Sequence, residues 1–405
     1  MTDPTGPDHS GSRRRFLQLT GAGVAASPWL AACATAAPSA IPARAMGMPW
    51  PDWGTLPEEV PPPPKPGSVG VAVVGLGGYA IGKALPALAT AEGTHVAAVV
   101  SGNPEKAAKV AAAYGVPEDA VYSYETFAQI ANDDRVEAVY IVLPTGLHAE
   151  WTELAFAAGK HVICEKPMAL NAGECARMIA ASEAANRKLM IAYRCHFEPY
   201  NLKATELMRA GAVGAIRSIE TANNYSANRA HNPSNDWRLV KALAGGGPLE
   251  DYGLYGLQAA LYLSGEVPVS VRGWTEQVPN DPRFTEVFST VKAEITFPSG
   301  AVTKLVTSYN ADNLNMVKVT GSDGILLMEP ATYYDGNAMK LLKGGTEEVL
   351  MPGDSNLQFS RMVQHFAEAI RTGAAIKTPG EMGLRDIRLV EAIHRSAAMG
   401  EVVAV

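Results

Sequence analysis

The chain has 405 residues, of which 47% are hydrophobic and 19% charged, enough to bury a large core in one large or two ordinary domains. Its formal net charge is −7, and no long Lys/Arg block or basic stripe interleaved with aromatics occurs, which argues against nucleic acid as a partner. The four cysteines include no pair at metal-ligand spacing, so no metal site is expected.

Residues 1–45 read as an export signal. Ser12-Arg13-Arg14-Arg15-Phe16-Leu17 precedes a weakly apolar Ala/Gly stretch from Leu19 to Ala37, the order of a twin-arginine signal and too poor in large apolar side chains for a stable membrane span. That predicts a periplasmic protein. Ala43-Arg44-Ala45 offers a cleavage site, while Leu30-Ala31-Ala32-Cys33 resembles a lipobox, so a form anchored by lipid through Cys33 is the alternative. Residues 46–67 are rich in Pro and Trp, with Pro61 to Pro64 consecutive, and favour an extended polyproline-like arm. It is either a plain spacer or an arm laid over a neighbouring subunit or a cofactor, the latter motivated by Trp50 and Trp53.

From Val69 short apolar runs alternate with Ala-rich helical stretches: Val69 to Val74, Ile81 to Ala91, His95 to Val100, Pro104 to Tyr114, Tyr124 to Ala131 and Ala138 to Leu143. The rhythm continues to Tyr193 and predicts an α/β Rossmann domain with a parallel sheet over residues 68–193. Within it Gly75-Leu76-Gly77-Gly78-Tyr79-Ala80 follows the first strand and opens a helix, matching G-x-G-x-x-A in the context a dinucleotide site requires. Gly75 permits the turn, Gly77 lets a pyrophosphate approach the backbone, and Ala80 allows close helix packing. After the second strand, where an acid would bind the adenosine 2′-hydroxyl, the chain reads Ser101-Gly102-Asn103-Pro104-Glu105-Lys106. A hydroxyl and a cation there favour NADP over NAD, although Lys106 is equally readable as a solvated helix lysine.

The strand His161 to Cys164 is followed by Glu165-Lys166-Pro167, placing a carboxylate and a lysine where open α/β sheets bind ligands, with a proline that can be cis. Residues 194–405 read as an α+β domain: a helix at Pro199 to Arg209, a strand near Ile216 to Tyr225, a helix at Leu249 to Leu263, and then strands with Pro298-Ser299-Gly300 and Gly321-Ser322-Asp323-Gly324 turns. An open, mainly antiparallel sheet is expected, closed by helices from about Phe359 to Thr372 and Gly383 to Met399. Asp251 and Tyr255 lie at i and i+4 of the helix after Gly245-Gly246-Gly247, able to reach one substrate. A tyrosine beside a lysine ammonium can have its pKa lowered enough to take a hydroxyl proton, which predicts Lys166, Tyr255 and Asp251 as the catalytic set.

These residues carry a resemblance. Ala158-Gly159-Lys160-His161-Val162-Ile163-Cys164-Glu165-Lys166-Pro167-Met168, Tyr193-Arg194-Cys195-His196-Phe197, Trp237-Arg238 and Leu243-Ala244-Gly245-Gly246-Gly247 look like the Gfo/Idh/MocA oxidoreductases, and within them the glucose-fructose oxidoreductase branch. The resemblance runs from about Val69 to the C-terminus. It implies an NADP that never leaves, oxidising one aldose to a lactone and reducing a second sugar in a ping-pong cycle. It further implies catalytic Lys166 and Tyr255 assisted by Asp251, with Ser101 and Lys106 at the 2′-phosphate. Glu165, Arg194, Trp237 and Arg238, with His148 of Pro144-Thr145-Gly146-Leu147-His148, would stand at the cofactor. A homo-oligomer, dimer or tetramer, built through the C-terminal sheet is implied as well. Two departures from the family pattern touch the site: the Asn often found after Pro144 is missing, and Asp251 is followed by Tyr252.

Overall fold

The computed structural model describes residues 55–405; residues 1–45, expected to be an export signal, and Trp50 and Trp53 lie outside the described residues. Two sheets organise the chain. The first has six strands in the order β3-β2-β1-β4-β5-β6, from β1 (Val69–Val74), β2 (Thr94–Val100), β3 (Val121–Tyr122), β4 (Ala138–Ile141), β5 (His161–Cys164) and β6 (Leu189–Ile191). Every pairing in it is parallel. Strand β1 is buried at all six positions, as expected of a central parallel strand with helices on both faces. The Rossmann architecture read from the sequence is present.

Helices α1 (Leu85–Thr90), α2 (Pro104–Tyr114), α3 (His148–Ala157) and α4 (Ala172–Ala185) are the crossovers. Their ends follow local chemistry: the Asn103 side chain accepts from the Lys106 N–H to start α2, and Gly115 ends it at φ +67. The Asn171 side chain does the same for α4, which ends on Asn186 at φ +50. The helix expected from Ile81 is in fact a π turn, Ala80–Ala84, running into α1. Periodicity cannot separate the two forms, because five residues are too few to register the difference in pitch.

The second sheet has nine strands ordered β14-β13-β12-β11-β7-β10-β9-β8-β15. They are β7 (Ile216–Ser226), β8 (Ser270–Glu276), β9 (Thr290–Thr296), β10 (Val302–Ser308), β11 (Asn310–Gly321), β12 (Gly324–Met328), β13 (Met339–Lys343), β14 (Thr346–Leu350) and β15 (Val403–Ala404). Only β10 with β7 pairs in parallel, so the sheet is open and mainly antiparallel. Helices α5 (Pro199–Arg209) and α6 (Leu254–Ser264, entered through a π turn at Leu249–Gly253) cover its inner face, where Ile219, Val317, Val319 and Leu326 meet Ala204, Ala259 and Leu263. The β13–β14 hairpin turns on Gly344 and Gly345, both at positive φ. Its charged strands escaped the hydrophobic pattern although the Gly-Gly pair was a turn signal.

Helices α7 (Leu357–Thr372) and α8 (Gly380–Met399) reach back from the second sheet to the first. A Cβ on Gly383 would lie 2.6 Å from the Met168 sulfur, so glycine is what lets α8 approach the turn that carries Lys166. Arg371 of α7 pairs with Glu137 at 2.6 Å and donates to the Gly67 carbonyl at 2.7 Å. The described end of the Pro-rich segment lies on its own chain: Leu56 packs against the Rossmann core, and Val60 lies against Gly115. Cys164, Cys175 and Cys195 are buried free thiols. No helix among the described residues is long and apolar enough to cross a membrane.

Candidate active site

The glycine loop sits at the C-terminal end of β1. Gly75 holds φ +91, and a Cβ on it would fall 2.3 Å from the Val142 carbonyl oxygen, so only glycine closes this turn. Gly77 is exposed, and a Cβ there would meet nothing within 4 Å. That open space faces the start of the Ala80–Thr90 helical run, which no side chain caps, and it fits a pyrophosphate approaching main-chain N–H groups. Leu76 and Ala80 are buried beneath the loop, while Gly78 and Tyr79 are half-buried on it. Gly75→Ala is expected to cost at least about 2 kcal/mol from clash and the left-handed φ, read as a lower denaturation midpoint together with loss of bound nucleotide.

At the end of β2, Ser101 is buried and its hydroxyl accepts from the Asn103 N–H at 3.2 Å. Lys106 lies one helical turn on, half-buried, and that burial lowers its pKa. The one acid there, Glu105, is turned to Lys109 at 2.7 Å. The residues present therefore fit a phosphorylated ribose better than a bare 2′-hydroxyl. Ser101 and Lys106 form one end of the site, separate from the group around Lys166.

Lys166 is the centre of that second group. It follows β5 and precedes a cis Lys166-Pro167 bond. Its Nζ donates to the Asp251 carbonyl oxygen at 2.6 Å and to Asp251 Oδ1 at 3.2 Å, and lies 4.7 Å from the Tyr255 ring centroid. Oδ2 of Asp251 accepts from the Tyr309 hydroxyl at 3.0 Å and lies 3.5 Å from Arg238 Nε. Burial works to raise the Asp251 pKa, but Lys166 and Arg238 outweigh it and hold the carboxyl below its usual range. Lys166, Asp251, Trp237, Arg238, Thr145 and Tyr309 line one cleft. Arg238 is stacked on the Trp237 ring at 4.7 Å, so this pair faces the cleft with Asp251.

Tyr255 departs from expectation. Burial pushes its pKa well above the ordinary phenol value, opposed chiefly by Arg194. Lys166 lies over the ring, and the contact made by the hydroxyl is to Arg194 Nε at 3.2 Å. The lowered pKa argued from sequence is corrected: Tyr255 is held as a protonated phenol.

Three residues expected at the cofactor make defined contacts within the protein. His148 is buried with each ring nitrogen 2.8 Å from a main-chain carbonyl oxygen, Leu143 on one side and Pro167 on the other. It braces the Lys166-Pro167 turn. Glu165 points inward, accepting from the Tyr140 hydroxyl at 2.6 Å, and burial raises its pKa. It ties the strand end to β4 and stands beside Tyr79 of the glycine loop. Arg194 is sandwiched between the Tyr255 and Tyr334 rings at 4.4 and 4.6 Å, donating to Gln358 Oε1 at 2.5 Å and the Thr332 carbonyl at 2.7 Å. It positions Tyr255. Residues the sequence reading missed are Tyr309, on the rim of β10, and Tyr334, which lies 6.2 Å from the Tyr79 ring. No local motif marks either; the exposed pair Tyr333-Tyr334 before Asp335-Gly336 was the one available signal.

The sequence profile described as an oxidoreductase family with an NAD-binding Rossmann fold matches residues 69–193, and the GFO/IDH/MocA C-terminal domain profile matches residues 201–327. The chain belongs to the Gfo/Idh/MocA oxidoreductase family. It is similar to a solved aldose-aldose oxidoreductase from Caulobacter crescentus in complex with glycerol, with 42% identity and a TM-score of 0.80 over 84% of this chain and 100% of that one. It is 31% identical to a D-xylose 1-dehydrogenase [NADP(+)] of Haloarcula marismortui over 80% of this chain and 90% of that protein. A solved 3-ketoreductase from Actinomadura kijaniata, in complex with NADP and TDP-benzene, is 27% identical with a TM-score of 0.71 over 81% and 98%.

Proposed function

We propose that this family member is a sugar oxidoreductase holding NADP(H) so tightly that the cofactor is not exchanged, oxidising an aldose to its aldonolactone and then reducing a second sugar, aldose or fructose, to an alditol by a ping-pong mechanism. The observation that carries the reading is the buried Lys166–Asp251 pair beside Tyr255, at the strand end next to an open glycine loop. The 42% identity to an aldose-aldose oxidoreductase supports it at the level of substrate class. Gly75 to Ala80 would hold the pyrophosphate and Ser101 with Lys106 the 2′-phosphate; bound NADP would supply the hydride acceptor and donor.

The chain's own residues handle the proton. Asp251, kept anionic by two cations, orients the Lys166 ammonium and leaves it able to donate to a sugar hydroxyl oxygen. In its phenolate form Tyr255 receives the carbinol proton in oxidation, and the phenol so formed returns that proton to the acceptor carbonyl oxygen in reduction, with Arg194 fixing its oxygen. Because the Tyr255 pKa is raised, the two half-reactions respond differently to pH below it. The oxidative step needs the phenolate and should accelerate about tenfold per unit as pH rises toward that pKa. The reductive step needs the phenol and should stay flat over the same range. Single-turnover absorbance of each half-reaction between neutral and alkaline pH checks this.

Residues 1–45 are proposed as a twin-arginine signal, so that the folded precursor leaves with its cofactor to a periplasm holding no free pool; lipidation at Cys33 is the alternative form. Residues 46–67 are proposed as an arm, 68–193 as the cofactor domain and 194–405 as the substrate and oligomerisation domain, with a homo-oligomer assembling through the second sheet. The reading is tested by incubating desalted protein with two aldoses and no added nucleotide. Equal amounts of aldonate and alditol are expected. Product formed only when NADP is supplied leads instead to an ordinary NAD(P)-dependent sugar dehydrogenase of this fold. No product under either condition, with sugar still bound, leads to a nucleotide-retaining sugar-binding module.

A further inference from the structure

Tyr252 follows Asp251 and precedes Tyr255 by three residues, so on the Leu249–Ser264 helical run Tyr255 neighbours both Asp251 at i,i+4 and Tyr252 at i,i+3. Its ring continues a row of phenols around the Lys166–Asp251 pair. Tyr252 lies 6.4 Å from the Tyr255 ring and 4.7 Å from the Tyr225 ring, and Tyr225 lies 5.1 Å from the Tyr309 ring. Tyr309 closes the row by donating to Asp251. Tyr252 is half-buried, packs with Tyr225 on Leu239, Phe284 and Tyr309, and meets edge-on the Tyr255 ring that Lys166 covers, so it borders the Lys166–Asp251–Tyr255 group. Nothing in the proton chemistry uses it.

From this placement we infer that Tyr252, backed by Tyr225, is the specificity-determining residue of the site: an aromatic platform that receives the C–H face of a cyclic aldose while its hydroxyls meet Lys166 and Asp251. The inference rests on the sugar reading and deepens it. A pyranose carries an apolar face of ring C–H groups opposite a polar edge of hydroxyls. A site that orients it needs an apolar ring on one side and charge on the other. The Tyr225–Tyr252 pair supplies the rings, and Lys166 and Arg238, both paired with Asp251, supply the charge. A small open-chain polyol has no ring to lay on the platform and gains little from it. The platform binds the ring in ground state and transition state alike, so its loss raises KM and leaves the chemical step largely intact.

The test is a KM and kcat comparison of wild type, Tyr252→Phe and Tyr252→Leu with a cyclic hexose and with glyceraldehyde as the small open-chain aldose. Bound-nicotinamide absorbance verifies that each variant is folded and loaded. The expected result is a KM for the hexose raised about tenfold or more in Tyr252→Leu, within about threefold of wild type in Tyr252→Phe, with kcat within about threefold throughout and the glyceraldehyde KM unchanged. A hexose KM unaltered in Tyr252→Leu overturns the platform, as does an equal rise for both substrates. Wild type that turns over neither aldose refutes the sugar reading itself, a result separate from any behaviour of the variants.

Discussion

Tyr255→Phe is expected to lower turnover by about 10² to 10⁴-fold, the usual contribution of a positioned proton-transfer group, while the protein stays folded and keeps its nucleotide. The substitution removes one oxygen whose contact is to Arg194 Nε at 3.2 Å. Arg194 retains Gln358, the Thr332 carbonyl and both flanking rings, so the local packing survives. The loss should fall on kcat for both half-reactions, because oxidation and reduction pass the same proton through the same oxygen. Stopped-flow measurement of cofactor reduction by a first sugar and reoxidation by a second separates the two. A variant that retains wild-type turnover removes Tyr255 from the chemistry and leaves Lys166 as the proton carrier.

Lys166→Met should be as damaging to activity and should also weaken the fold. Removing one member of a buried ion pair generally costs about 3–5 kcal/mol, since the other charge is left without its partner. Here the side chains are 11% and 19% exposed and Asp251 keeps Arg238 and the Tyr309 hydroxyl, so about 1–3 kcal/mol is expected. The pH dependence follows from the lowered Asp251 pKa. A carboxyl depressed in the folded state stabilises above its unfolded pKa, and that contribution is lost as pH falls through the folded one. The stability difference between wild type and Lys166→Met is therefore present at neutral pH and shrinks toward strongly acidic pH, once Asp251 is protonated. Chemical denaturation at neutral and acidic pH reads it. A difference that does not change with pH would assign the loss to packing of the lysine stem rather than to the ion pair.

The Rossmann half was legible because its signals are local. A central strand buried on both faces is a continuous apolar run, and the glycine loop after it needs Gly75 for a left-handed turn under the Val142 carbonyl. The Ala-rich stretch from Pro104 to Tyr114 gave the bounds of α2, which Asn103 and Gly115 fix by capping. The cleft was half legible: Lys166, Asp251 and Tyr255 could be named from a strand end and an i, i+4 pair. Their mutual arrangement depends on residues far apart in sequence. Asp251 is gripped by Tyr309 through packing of the Leu249–Gly253 turn on β10, and Arg194 reaches Thr332 and Gln358, contacts between residues far apart in sequence.

The same limit applies to contacts within the protein. His148 and Glu165, expected at the cofactor from their place at strand ends, also bond to the carbonyls of Leu143 and Pro167 and to the Tyr140 hydroxyl respectively, which the sequence does not announce. A buried polar group must find a partner, and the nearest partners here belong to the backbone and to β4. The sign of the Tyr255 shift was missed for a related reason. Spacing brings a lysine and a tyrosine together but does not say whether the ammonium meets the oxygen or the ring, and here it meets the ring.

The most direct measurement of the account is the absorbance spectrum of the purified protein with no nucleotide added, before and after an aldose and again after a second sugar. The account predicts a reduced-nicotinamide band near about 340 nm that rises with the first sugar and falls with the second, at a stoichiometry of one cofactor per chain. A spectrum that never shows the band, or a band that appears only when NADP is supplied and vanishes on desalting, would contradict a permanently held cofactor cycling between two sugars.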